Sequence, residues 1–455
     1  MIASDEHDEK SVRHLASEIL SKVDTRKAYA DILLDQALRI SALNERDRAL
    51  LTELTYGTLR WRGALDARLI RSLRRPLAKV NPRLRNLLRL TCYQLLYLDR
   101  VPDYAAVNEA VEIAKLYGGR KAAGFVNGVL RNFLREKHAP VPVALDATAA
   151  SLAVEYSHPE WLVQRWLEEF GATEAPALMR ANNEKPPLVL RANLLKCKRD
   201  ELIDRLSKSA VEAKASSYSP QGVFLPAGGA VENIPGFTEG WFQVQGEASQ
   251  LVGYLLSPLA GERILDACAA PGGKSTHIAE LMYDAGEIIS VDSSARGVEK
   301  IRQNVIRLGL KSVRALHADI TEENREWGGA PFDRILVDAP CSGLGTLRAH
   351  PEIKWQRNED DVRRLSGLQL RILNRVAGYL KRAGILVYST CTLNRDENER
   401  NTESFLANHP GFELQDAARY LPDKAKHMAR GKYFQALPHR DNTDGFFAAR
   451  MRRLS

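Results

Sequence analysis

The chain has 455 residues, which at roughly 150 residues per domain gives a prior of about three domains. Hydrophobic residues make up 44% and charged residues 27%, ordinary proportions for a soluble protein with real cores, and no apolar run approaches a membrane span. The net charge of +8 favours a polyanionic partner without assigning one. Five cysteines (Cys92, Cys197, Cys268, Cys341, Cys391) are odd in number and widely spread, with no CxxC pair. That speaks against a disulfide framework and against a zinc site, so no metal is expected. The first nine residues, Met1 to Glu9, are acidic and lack the hydrophobic segment of a signal peptide. A reducing cytoplasm is the expected compartment, with no membrane partner.

Residues 11 to about 138 read as helix throughout. Leu88, Cys92, Leu95 and Leu96 repeat at i, i+4, i+7 and i+8, one face of a helix. Asp103 is expected to cap the next helix, which buries Val107, Val111 and Ala114 and stops at Gly118-Gly119. Ala122, Val126, Val129 and Phe133 repeat the pattern, so an all-α bundle follows. Ten basic residues lie between its apolar stripes: Arg60, Arg62, Arg68, Arg71, Arg74, Arg75, Lys79, Arg83, Arg85 and Arg89. Each alone reads as solvated surface, but their density suggests a phosphate-binding face.

Ala139 to Val143 holds two prolines and reads as a linker. Pro159 opens a helix in its first turn. Strands at Leu188–Arg191 and Gly222–Leu225 and a helix at Arg199–Leu206 form a small α/β module. The expected domains are thus 1–140, 141–240 and 241–455.

From about residue 241 strand and helix alternate. Strands are predicted at Arg263–Asp266, Glu287–Asp292, Val313–His317, Arg334–Asp338 and Ile385–Tyr388, with a late one at Gly445–Arg450. Helices follow the first two, from Lys274 to Met282 and through Ile301 and Val305. Such alternation means a parallel, doubly wound, Rossmann-like sheet.

Ligands in such sheets bind beyond the carboxyl ends of the strands. Asp266 to Thr276 there is a turn of small residues and glycines leading into a helix N-terminus. A phosphate-binding P-loop needs glycine where Cys268 stands, and the dinucleotide spacing of glycines is missing too. Asp292, ending the second strand, suits two ribose hydroxyls, and Asp319, after the third, suits an adenine amino group. Each alone is more often a capping acid. Together they fit an adenosine ligand without phosphates, S-adenosylmethionine rather than ATP or NAD.

Cys341 and Cys391 each lie just past a buried strand, Cys341 close to Asp338. Free cysteines are commonly small buried hydrophobes. Two at neighbouring strand ends, one beside an acid, instead suggest covalent chemistry on an electron-poor ring.

Several long motifs, in order, resemble the RNA cytosine-5 methyltransferases of the NOL/NOP/Sun family. They are Phe242 to Gln250, Asp266 with Cys268 to Lys274, Asp338 to Cys341 running into His350-Pro351-Glu352-Ile353-Lys354-Trp355, and Ser389 to Thr392. Val107 to Val111 and Phe125 to Arg131 resemble the NusB helical fold of antitermination factors. A NusB-like bundle, a small α/β module and a class I methyltransferase domain is the layout of bacterial 16S rRNA methyltransferases of that family.

The resemblance implies methylation of carbon 5 of a cytosine in 16S rRNA by a protein expected to be monomeric. It implies that Cys391 attacks carbon 6 and that Cys341 assists release. The residues alone leave this open, since DNA cytosine-5 methyltransferases attack with the Pro-Cys thiol, here Cys341. Asp338 is implied to bond N3 and the exocyclic amine, donating to N3 when protonated. Cys268, Ala269, Ala270, Pro271, Gly272, Gly273, Lys274, Asp292, Asp319 and Asp338 are implied as cofactor contacts. Arg348, His350, Lys354 and Trp355 are candidates for the RNA entrance, with Trp355 stacking on a base or packing a loop. The same chemistry on tRNA, or a non-catalytic RNA-binding factor, are the alternative readings.

Overall fold

A computed structural model describes residues 11–137, 148–226, 231–322 and 329–454. The acidic Met1–Glu9 and the 139–143 linker lie outside the described residues. The chain divides into two compact units, Met1–Asn183 with Leu347–Gln356, and Glu184–Thr346 with Arg357–Ser455.

The first unit is helical. It contains α1 (Val12–Arg26), α2 (Ala30–Ile40), α3 (Glu45–Arg60), α4 (Arg62–Arg71), α5 (Pro82–Tyr97), α6 (Asp103–Arg135), α7 (Ala149–Glu155) and α8 (Glu160–Asn182). The expected face of α5 is inside, with Leu88 and Cys92 fully buried and Leu95 nearly so. The two helices predicted around Gly118-Gly119 run on as α6 but break there: Gly119 sits at φ 65°, a conformation glycine adopts without a Cβ clash. Asp103 does not cap. Pro102 holds the N-cap position with no side-chain bond, and Asp103 in the first turn accepts Lys137 Nζ at 3.0 Å. Pro159 likewise stands at the N-cap, one residue before α8 begins.

The predicted basic face is split by pairing. Asp24 gathers Arg62 at 3.2 Å, Arg85 at 2.7 Å and Arg89 at 3.5 Å. Arg89 is buried and also clasps Asp66 through Nε and Nη2, each at 2.7 Å. Arg60 is buried and donates to the Arg348 carbonyl. Arg75 and Arg83 lie over the rings of Phe125 and Tyr117. Four of the ten cations are therefore internal partners rather than a phosphate-facing surface.

The second unit holds two sheets. The smaller, antiparallel, is β1 (Leu188–Ala192), β2 (Lys214–Ala215), β3 (Gly222–Leu225) and β4 (Phe242–Val244) in the order β2-β3-β1-β4, covered by α9 (Arg199–Lys208). After α10 (Glu247–Leu256) comes the larger sheet. Its parallel strands are β5 (Arg263–Asp266), β6 (Glu287–Asp292), β7 (Val313–His317), β8 (Phe332–Asp338) and β9 (Leu380–Thr390). Helices α11 (Gly273–Leu281) and α12 (Ala295–Leu308) follow β5 and β6. Strands β10 (Phe412–Gln415), β11 (Ala429–Arg430), β12 (Tyr433–Ala436) and β13 (Phe446–Arg453) complete it antiparallel. The order β11-β12-β13-β9-β8-β5-β6-β7 reverses direction at β5 and β8. In such sheets ligands bind outside the carboxyl ends of the strands at this switch point. The predicted doubly wound core is present, and the antiparallel extension β10 to β12 is what strand periodicity missed. No described helix is long and apolar enough to cross a membrane.

Candidate active site

Parallel register brings the motifs together. Asp266 pairs with Leu336 and Asp338 pairs with Ser389, so β5, β8 and β9 end side by side. The chain leaves β8 through Ala339-Pro340 to Cys341 and leaves β9 at Thr390 to Cys391. The two sulfurs lie 3.3 Å apart in a hydrogen bond. Two thiols 50 residues apart in sequence thus share one point of space. The Cys341 thiol is pushed well above its ordinary value by its bond to Cys391, then by burial and by Glu397.

Asp338 stands beside the pair and is doubly held. Its Oδ2 accepts Lys274 Nζ at 2.6 Å and its Oδ1 accepts Ser389 Oγ at 2.9 Å. The lysine that sequence could not distinguish from a solvated one is mostly buried, with 13% of its side chain exposed, and packs over Phe446.

A layer of buried polar groups holds the Cys341 loop. Glu397 accepts Ser342 N–H at 2.8 Å and Ser342 Oγ at 2.5 Å. Gln369 donates to both Pro340 O and Glu397, and Tyr388 donates to Gln369 and to the Glu397 carbonyl. Asn398 accepts Thr390 Oγ1 and donates to Thr392 O, fixing the loop of Cys391. Gly345 donates to Cys391 O at 2.9 Å, and a Cβ there would lie 2.1 Å from Gly445 O. Sequence reading missed Glu397, Gln369 and Asn398. The one available signal was the polar run Asn394 to Asn398 directly after Thr392, which reads as a surface turn.

The cofactor-side residues are also brought together. Gly272, at φ 98°, turns the chain into α11. A Cβ on Gly273 would meet nothing nearer than Gln245 at 4.0 Å, so the backbone at this helix start is open to a ligand. Asp292 accepts Ala270 N–H through Oδ2 and Ser294 N–H through Oδ1, which fixes its carboxylate yet leaves each oxygen a lone pair. Asp319, after β7, accepts both the N–H and the Oγ1 of Thr321, a local turn bond that holds it below its ordinary range. Asp266, fully buried, accepts Ser275 Oγ at 2.6 Å while its Oδ1 has no partner; burial pushes it up to about 7. The Cys268 thiol is pushed far up by burial and then by Asp266, Asp292, Asp338 and Asp319. Asp266, Asp292, Asp338 and Asp319 thus all bear on the Cys268 end of the turn.

The turn is braced from the small sheet. Arg191 on β1 is fully buried and donates to Gly273 O at 2.7 Å, to Thr276 Oγ1 at 3.0 Å, to Gln245 and to both oxygens of Glu280. The Phe242–Gln250 motif adds Glu247, whose Oε1 accepts Ser216 Oγ at 2.6 Å and Ser219 N–H at 2.7 Å.

Most of the segment expected to line the RNA entrance is held by its own unit. Leu347–Gln356 belongs to the helical unit. Lys354 is fully buried and donates to Arg60 O at 2.8 Å and Asn183 Oδ1 at 3.1 Å. Trp355 donates its indole N–H to Leu59 O at 2.7 Å, with Arg62 over its ring. These bonds make Lys354 and Trp355 anchors of this segment, not a base-stacking rim.

Comparison with known proteins agrees with this architecture. Residues 253–452 match the family described as 16S rRNA methyltransferase RsmB/F, 10–135 match the NusB family, and 158–232 match an RsmF/B-like ferredoxin-like domain. A Bacillus subtilis (strain 168) protein named "Probable ribosomal RNA small subunit methyltransferase B" is 41% identical over 97% of this chain and 99% of its own length. "Ribosomal RNA small subunit methyltransferase B" of Pseudomonas syringae pv. tomato is 35% identical over 97% of each. Among crystal structures, PH0851 superposes with a TM-score of 0.83 at 26% identity, covering 97% of this chain and 99% of the other. NSun6 from Pyrococcus horikoshii with SFG gives 0.59 at 25% identity, covering 65% of this chain and 98% of the other. With relatives at this identity along nearly its whole length, the chain belongs to the RsmB/F family of methyltransferases.

Proposed function

We propose that this protein methylates carbon 5 of a cytosine in small-subunit (16S) rRNA, in the cytoplasm, using S-adenosylmethionine and a covalent adduct with Cys391. The observation that carries the reading is the thiol pair, 3.3 Å apart, beside an Asp338 held by Lys274. The names of the relatives support an rRNA substrate, and 16S rRNA is the substrate in the family description. The NSun6 structure with SFG supports the cofactor. The proposed organisation is a NusB-like domain at 1–140, a small module at 141–240 and the methyltransferase domain at 241–455.

The cofactor fits the residues present. Cys268 to Gly273 supply the open backbone, Asp292 suits the ribose and Asp319 the adenine. Four carboxylates with Lys274 as their cation suit a ligand that is itself cationic. S-adenosylmethionine, when bound, supplies an electrophilic methyl group on a sulfonium.

Carbon 5 of cytosine is too weak a nucleophile to take that methyl unaided. The Cys391 thiolate adds to carbon 6, forming a C–S bond and sending the ring electrons toward carbon 5. Asp338 accepts from the exocyclic amine and, when protonated, donates to N3, so charge is balanced as the adduct forms. Carbon 5 takes the methyl, then loses its proton to a base as the C–S bond to Cys391 breaks. Cys341, hydrogen-bonded to Cys391 in the resting pair, assists this last step. The target base leaves its stack to reach the strand ends.

Roles are tested by trapping. Cys391→Ala is expected to abolish methylation and adduct alike. Cys341→Ala is expected to accumulate an enzyme–RNA adduct that survives denaturing electrophoresis. The opposite assignment of the trapped species would reverse the two roles. Methyl transfer to naked 16S rRNA, assembled small subunits and tRNA separates the substrates.

A further inference from the structure

Within the helical unit a second group of ligating side chains converges, with no thiol in it. Asp31, His350 and Glu352 each offer one ligand atom, all within 4.8 Å of one another. Asp31 is in the first turn of α2, and His350 and Glu352 flank Pro351 on the Leu347–Gln356 segment.

Glu352 is the informative member, because it is fully buried. Its Oε1 accepts the backbone N–H of Ala30 at 3.0 Å, supplying the cap that Tyr29 does not give α2. Its Oε2 is buried with no hydrogen-bond partner, and so is His350 Nδ1. Capping therefore accounts for one oxygen and leaves the other unexplained. His350 Nδ1 lies 4.0 Å from Glu352 Oε1, too far for a hydrogen bond. Two metal–ligand bonds of about 2.1 Å reach across up to about 4.2 Å, so this spacing accommodates an ion between the atoms, with a small side-chain adjustment for the widest pair. A buried carboxylate oxygen without a partner is costly, and a cation offsets that cost. Burial pushes Glu352 up, while the Ala30 N–H and His350 pull the other way. Tyr56 feels the same two carboxylates, being pushed up by burial and then by Glu352 and Asp31.

We propose that Asp31, His350 and Glu352 bind one divalent first-row transition cation. One imidazole and two carboxylates form a set suited to Mn2+, Fe2+, Co2+ or Zn2+ and unsuited to a soft ion such as Cu+, with water completing the shell. The cysteine spacing that spoke against a zinc site has no bearing on a site without sulfur. The ion ties the first turn of α2 to the segment that follows the Cys341 loop, and so adds its binding free energy to the seating of that segment.

The test uses metal-stripped full-length protein titrated with Co2+ alone, followed by calorimetry and visible absorption. The expected result is one equivalent bound, with ligand-field bands and no thiolate-to-cobalt charge-transfer band, and a raised melting temperature. Asp31→Asn and His350→Ala, which leave the Ala30 cap intact, are each expected to weaken binding by about tenfold or more. Glu352→Gln keeps an acceptor for Ala30 and is expected to behave alike, with circular dichroism confirming its fold. No saturable binding by the wild type overturns the proposal. So does a thiolate band, which would put the ion on Cys341 and Cys391, or an affinity unchanged in both Asp31→Asn and His350→Ala.

Discussion

The acids of the helical unit and those of the strand ends are treated in opposite ways. Asp24 is one carboxylate among three guanidinium groups, from Arg62, Arg85 and Arg89. At the strand ends Asp266, Asp292, Asp319 and Asp338 act together on Cys268, and Lys274 is the cation paired among them. Burial pushes Asp24 up, yet the arginines outweigh it and the group settles at about 2. Burial pushes Asp266 up to about 7, with the Ser275 hydroxyl and Lys274 opposing it and Asp338 and Asp292 adding to it. Where cations outnumber an acid, the charge is satisfied internally and the result is stability. Where acids outnumber cations, the excess charge suits a cationic ligand such as the proposed cofactor.

The largest effect should come from the centre of the acidic side. Asp338→Asn keeps the size of the side chain and an acceptor for Ser389, but discards the charge opposite Lys274. Methyl transfer should fall by about 10²- to 10⁴-fold, the range for a positioned acid–base group. Affinity for S-adenosylmethionine, measured by calorimetry, should fall far less. An equal loss in binding and in turnover would mean that Asp338 serves the cofactor alone, and the contrast drawn here would lose its catalytic half.

How much of this was legible in the sequence depends on the range of the interaction. Strands β5 and β6 match their predicted limits because buried parallel strands read as largely apolar runs. The parallel register of β8 on β9 then brings Cys341 to Cys391. The supports of those thiols were not legible, since Glu397, Gln369 and Asn398 are polar, and a polar residue in sequence reads as surface until its buried partner is known. The basic series failed for the same reason. Arg60 and Arg89 look like their neighbours on the page, and only tertiary partners separate them. The Leu347–Gln356 segment was the hardest case, because the bond from Ala30 to Glu352 spans 322 positions and no local pattern encodes it.

Asp266 gives the next largest effect and tests the unsatisfied side of the comparison. Its folded pKa is raised from 3.8 to about 7, so between these values the folded state holds a proton the unfolded state has lost. Stability contributed by this group is therefore full below pH 4 and is lost as pH rises toward 7, by on the order of 4 kcal/mol across the window. Asp266→Asn mimics the protonated form and should flatten that part of the stability–pH curve in urea denaturation. An unchanged slope would mean the carboxyl is already ionised in the folded protein.

Asp24 should give the smallest change and the opposite sign. Its folded value of about 2 lies below the ordinary 3.8, so it contributes stability above pH 4 that is lost as pH falls toward 2. The shift is worth about 2 kcal/mol, because a pKa unit corresponds to roughly 1.4 kcal/mol. Asp24→Asn should lower stability at pH 7 by about that amount and shift acid unfolding to higher pH. The loss is held down because Arg89 keeps Asp66 through two bonds of 2.7 Å, leaving Arg62 and Arg85 to lose their shared acid. The double variant Asp24→Asn/Asp66→Asn strands Arg89 inside the bundle, so its cost should exceed the sum of the single changes. Strict additivity would show that the three arginines act on Asp24 independently, not as a shared knot.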